Sequence, residues 1–144
     1  MGKINIGRVV LGGLLTAAVF FVIELVVEGM AGMLGASEKD MALEAFPNIV
    51  FTGARYHIVN IAYFLLFCMF AIWLYAAIRP RFGPGPRTAV ITGLIFWFTG
   101  VLVAVNFINM GVFPMKLTLV GLLFNLIELP ASVVVGASIY KESF

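Results

Sequence analysis

The chain alternates between long apolar runs and short polar interruptions, and the runs set the reading. Four of them reach the roughly 20 residues a helix needs to cross a bilayer, at about 8–34, 56–78, 88–112 and 115–140. Leu, Val, Ile and Phe dominate all four. Barrel strands need only about 10 residues and alternate in polarity, which these runs do not. The pattern predicts an all-α, membrane-embedded four-helix antiparallel bundle forming one domain over 1–144, with an outer loop at 35–55.

Composition agrees with lipid as the main solvent. The chain is 62% hydrophobic and 11% charged, against about 25% charged in soluble domains. A net charge of +2 and the lack of a basic patch interleaved with aromatics give no reason to expect a nucleic-acid partner. The expected partners are membrane lipids and either further copies of the chain or a larger membrane complex. The first run follows Lys3 and Arg8 as a signal peptide would, but it exceeds the 7–15 residue apolar region of a cleaved signal, so it reads as an uncleaved first span.

Charge then orients the spans. If four helices alternate, Lys3, Arg8, Arg79, Arg81, Arg87 and Lys141 share one side. Lys39, Arg55 and Lys116 fall on the other, with Glu38, Asp40 and Glu44. The excess of Lys and Arg places both termini and the central loop in the cytoplasm. That loop, Arg79-Pro80-Arg81-Phe82-Gly83-Pro84-Gly85-Pro86-Arg87, has Pro and Gly spacing that predicts a helix-free reversal. In the outer loop, Ser37 and Asp40 fit a capping box. It would start a short surface helix through Met41, Leu43, Ala45 and Phe46, ended by Pro47. The outer connection at 111–115 is so short that the third and fourth spans must be antiparallel neighbours.

Against this apolar background the polar residues inside the spans stand out. Gly13, Ala17, Phe20, Glu24 and Glu28 fall on one stripe of the first helix, and Gly121, Asn125, Glu128, Ser132 and Gly136 on one stripe of the fourth. Small residues let helices approach, and polar groups then bond across the contact. At 1.5 Å per residue, Glu24 lies about 24 Å from Arg8 and Glu128 about 18 Å from Lys116. With Asn60, Asn106 and Asn109 they predict an outward-facing polar pocket, with Arg55 and His57 at its rim. Glu24, Glu28, Asn125 and Glu128 are the candidate proton- or ion-binding residues. Pro130 leaves the Leu126 carbonyl without its helical donor, a candidate ligand beside Glu128. Intramembrane carboxylates point to function by default, but protonated carboxylates acting as interhelical glue fit the same pattern.

Other chemistry finds less support. His57 is the single histidine; it is read as an interfacial residue, with ligation of a haem or pigment as an alternative. No Glu-x-x-His iron motif, zinc-ligand spacing, phosphate loop or nucleophile elbow occurs, so no catalytic residue, metal site or cofactor is expected. Cys68 reads as a small hydrophobe, and the phenylalanines, Trp73 and Trp97 as lipid-facing or core mass. The expected function is non-enzymatic, an accessory or scaffold subunit. The alternatives are a transporter component centred on Glu24 and Glu128, or a pigment-binding subunit using His57.

The stretch Leu74-Tyr75-Ala76-Ala77-Ile78-Arg79-Pro80-Arg81-Phe82-Gly83-Pro84-Gly85-Pro86 resembles the central hairpin of a group of small bacterial four-span membrane proteins of uncharacterised activity. The opening Ile6-Gly7-Arg8-Val9-Val10-Leu11-Gly12-Gly13 and the closing Leu126-Ile127-Glu128-Leu129-Pro130 with Tyr140-Lys141-Glu142 are similar too. The resemblance implies a bacterial inner-membrane location. It implies no activity, substrate or cofactor.

Overall fold

The computed structural model of the chain describes residues 3–33, 42 and 53–142. They form four long helices: α1 (Ile6–Met33), α2 (Ala54–Phe82), α3 (Pro86–Asn109) and α4 (Met115–Ser138). Each is long and apolar enough to cross a membrane, and they pack on one another as a four-helix bundle. The chain is a multi-pass membrane protein. The surface helix expected after Ser37 lies outside the described residues.

Two connections are fixed by local chemistry. At the end of α3, the Val112 N–H donates to the Phe107 carbonyl at 3.0 Å and the Gly111 N–H to the Ile108 carbonyl at 2.9 Å. With Gly111 at φ 71°, this is a Schellman cap, which needs a left-handed residue where glycine costs least. The chain reverses at once into α4, making α3 and α4 antiparallel neighbours.

The central loop departs from expectation. Arg79, Pro80, Arg81 and Phe82 are helical, whereas the Pro and Gly spacing predicted no helix there. Pro80 lies in the last turn, where its missing N–H removes a single bond, to the Ala76 carbonyl. The helix stops instead at Gly83, at φ 84°, whose N–H closes on the Arg79 carbonyl at 2.9 Å. Only Gly83, Pro84 and Gly85 lie outside helices before Pro86 opens α3, its ring presetting the helical φ.

The bundle is tightest at the end bearing the termini and this loop. The cluster Val9, Ala71, Ile72, Tyr75, Ala76, Ala89, Val133, Ala137 and Tyr140 is buried there. Backbones meet closely because glycines stand at three crossings. A Cβ on Gly12 would come within 2.9 Å of the Gly136 carbonyl oxygen, joining α1 to α4. One on Gly13 would lie 2.6 Å from Met69 Cα of α2, and one on Gly93 2.5 Å from Pro130 Cα of α4. Polar ties seal the same end. The Asn5 N–H donates to the Tyr140 hydroxyl at 3.3 Å, the Arg8 guanidinium to the Ile139 carbonyl at 3.5 Å, and the Gly85 N–H to the Tyr75 hydroxyl at 3.2 Å. Arg79 lies 3.7 Å from Glu142 and 5.6 Å above the Tyr140 ring.

Around the bundle α1 packs against α2 and α4, and α4 against α3, while α2 and α3 meet much less. The α2–α3 seam is therefore the open one.

Gly93→Leu is expected to drive α3 from α4 and destabilise the fold by about 1–3 kcal/mol, the range for overpacked cores. At Gly100 an added Cβ meets nothing within 4 Å among the described residues, so Gly100→Ala is expected to hold or raise stability, since alanine favours helix over glycine. Thermal unfolding of the two variants in one detergent checks the contrast.

Candidate functional site

The buried polar side chains sit in the tight half of the bundle. Thr16, Thr88, Thr92, Glu128 and Ser132 are each at most 2% exposed. The three threonines donate to carbonyls close by in sequence: Thr16 to Gly12 at 2.9 Å, Thr88 to Gly83 at 2.7 Å and Thr92 to Thr88 at 2.9 Å. Such local bonds satisfy a hydroxyl without a second helix. Thr16, Thr88 and Thr92 are not among the polar residues picked out from sequence. Their spacing carries no functional signature.

Glu128 is 1% exposed, within the run Glu128, Leu129, Pro130 of α4 that is buried throughout. It occupies the middle of the helix, one turn from the fully buried Ser132, whose hydroxyl makes no hydrogen bond among the described residues. Two turns further on, Gly136 abuts Gly12 and Thr16 of α1. Running that register back along the antiparallel pair brings Glu24 within about one turn, ~5 Å, of the height of Glu128.

The other predicted residues are not drawn together. Glu24 and Glu28 are half-buried on α1, and Asn125 is half-buried on α4, its amide donating to the Gly121 carbonyl at 2.8 Å. Asn60, Asn106 and Asn109 are exposed. Asn60 donates to its own helix, to the Tyr56 carbonyl at 2.9 Å, and the Asn106 amide lies 3.6 Å from the Met110 sulfur. Arg55 and His57 are exposed at the start of α2, with the His57 ring edge-on to Tyr56 at 5.3 Å. No group of three His, Cys, Asp or Glu placed to hold a metal forms among the described residues.

A cavity of about 600 Å³ lies between α2, α3 and α4. Its walls are Tyr63, Phe67, Phe70 and Leu74 of α2, a stretch of α3 from Ile95 to Ala104, Leu122, Asn125 and Leu129 of α4, and Phe113 of the connection between α3 and α4. Phe96 reaches across the seam, edge-on to Phe67 at 4.9 Å and to Phe70 at 5.7 Å. Of the residues picked out from sequence, only Asn125 lines it. Read as bulk hydrophobic mass, the aromatics hid it. The usable signal is the spacing of Tyr63, Phe67, Phe70 and Leu74, which fall on one helical stripe.

No family model matches the chain, and neither a curated protein nor a solved structure matches it at a significant level.

Glu128→Gln keeps the volume of the side chain and is expected to leave stability nearly unchanged. Glu128→Ala is expected to cost about 2–5 kcal/mol, as other large-to-small changes in cores do. Trp97 donates its indole N–H to the Leu122 carbonyl at 2.7 Å; Trp97→Phe is expected to cost about 0.5–1.5 kcal/mol, the net worth of one hydrogen bond. Denaturant titration in mixed micelles reads all three.

Proposed function

We propose that the chain is a non-enzymatic subunit of a membrane assembly, working by packing as an accessory or scaffold element, in a homo-oligomer or a larger complex of the bacterial inner membrane. The observation that supports this most is the outer stretch of α1. Glu24, Glu28 and Gly32 fall on one stripe, four residues apart. Both glutamates are half-buried, and among the described residues an added Cβ at Gly32, or at neighbouring Gly29, would meet nothing within 4 Å. In a span, small residues facing open space invite another helix, and nearby polar groups strengthen the contact. A carboxylate bordering lipid, as half-buried Glu24 does, is costly unless such a contact shelters it.

The orientation has both termini in the cytoplasm. Contacts of Asn5, Arg8, Arg79, Gly85 and Tyr140 draw the termini and the central loop to one end. That end carries Lys3, Arg8, Arg79, Arg81, Arg87 and Lys141, and the cytoplasmic side is the one enriched in Lys and Arg.

A second reading, proton or cation transfer through Glu24 and Glu128, is favoured by the similar height of these residues on neighbouring helices. It requires flux in proteoliposomes that Glu24→Gln and Glu128→Gln abolish while folding is kept; a silent wild type under every gradient removes it.

The assembly reading predicts that mild extraction retrieves an oligomer or a complex. Gly32→Leu is expected to break it apart while leaving the helical content of the subunit intact. Native mass measurement decides: a monodisperse monomer from wild-type membranes contradicts the proposal.

A further inference from the structure

The cavity on the α2–α3 seam has two properties that together select an occupant. The first is that, the Tyr63 hydroxyl apart, the polar side chains lining it donate to backbone carbonyls. Thr99 donates to the Ile95 carbonyl at 2.8 Å, Trp97 to Leu122 at 2.7 Å and the Asn125 amide to Gly121 at 2.8 Å. A water molecule needs two to four polar partners to occupy a buried site, and these walls present few. Within a span, the alternative filler is hydrocarbon.

The second property is length. From Tyr63 to Leu74 the α2 wall rises about 16 Å. Half of a bilayer's ~30 Å hydrocarbon core is about 15 Å. Phe113, in the hairpin that ends α3, also lines it, so the cavity extends from near that end of the bundle toward the middle. The volume lies within the 300–1,000 Å³ of typical ligand sites.

We propose that this cavity is a specific lipid site that takes a single acyl chain from the leaflet on the Phe113 side, threaded between α2 and α3 with its distal part against Trp97. The proposal needs the chain to span the membrane but does not depend on the assembly reading. The ring of Phe96, set edge-on between Phe67 and Phe70, forms part of the wall. Gly100 sets the width: it lines the cavity, and a side chain there enters open space.

The two tryptophans of the chain make this testable. Trp73→Phe leaves Trp97 as the sole emitter. This variant is reconstituted into phosphatidylcholine vesicles with bromine on the distal half of one acyl chain, and into vesicles with bromine close to the headgroup. Bromine quenches indole on contact. The expected result is loss of most Trp97 emission with the distal label and little loss with the proximal one. Adding Gly100→Leu should restore the emission; if that variant does not fold, Gly100→Ala should restore part of it. Trp97 emission equally bright with and without distal bromine overturns the proposal, as it would if another protein chain filled the seam. Quenching that a larger residue at position 100 does not relieve overturns it as well, because the contact would then come from lipid outside the cavity.

Discussion

The architecture hangs on backbones meeting at glycine. Gly12 against Gly136, Gly13 against Met69 and Gly93 against Pro130 bring helices closer than any residue with a Cβ allows. Lipid gives no hydrophobic drive for helices to associate, so van der Waals contact and interhelical bonding must do the work. Close approach multiplies both. All three crossings join α1 or α4 to a neighbour, and none joins α2 to α3. A bundle pinched in this way holds firmly along three seams and loosely along the fourth.

The open seam and the buried carboxylate follow from the same arrangement. Where α4 is gripped by α1 on one side and α3 on the other, Glu128 is sealed from lipid. Where α2 and α3 part, aromatic rings from both sides face a space that they do not fill. Pro130 links the two. Its missing N–H frees a carbonyl near Glu128, while its Cα is the surface on which Gly93 rests.

Sequence revealed the large features because they depend on composition and length. Four apolar runs separated by short polar interruptions lead directly to four helices, and the short connection at 111–115 to an α3–α4 hairpin. The exact ends were harder to read. Pro80 looks like a terminator, but within a last turn its cost is one bond, so α2 continues to Phe82. The candidate site was less legible still. Asn60 lies near the height of Glu24 but not in its direction, and depth in the span cannot show that the side chains of Asn60, Asn106 and Asn109 are exposed. Glu128 was identifiable because a carboxylate is conspicuous in an apolar run; the buried threonines were not, since a hydroxyl bonded to a nearby carbonyl resembles any other small residue.

The fastening at Tyr140 carries a consequence for biogenesis. Residues near both ends of the chain, Asn5 and Tyr140, are joined through one hydroxyl, and α4 supplies a face to both α1 and α3. As the ribosome delivers helices in order, α1 enters the bilayer with Glu24 and Glu28 aboard long before its α4 neighbour exists. The fold therefore cannot be completed hairpin by hairpin during insertion. It must wait for the last helix to lock the first in place, leaving a nascent three-span form in which α1 still lacks its α4 neighbour.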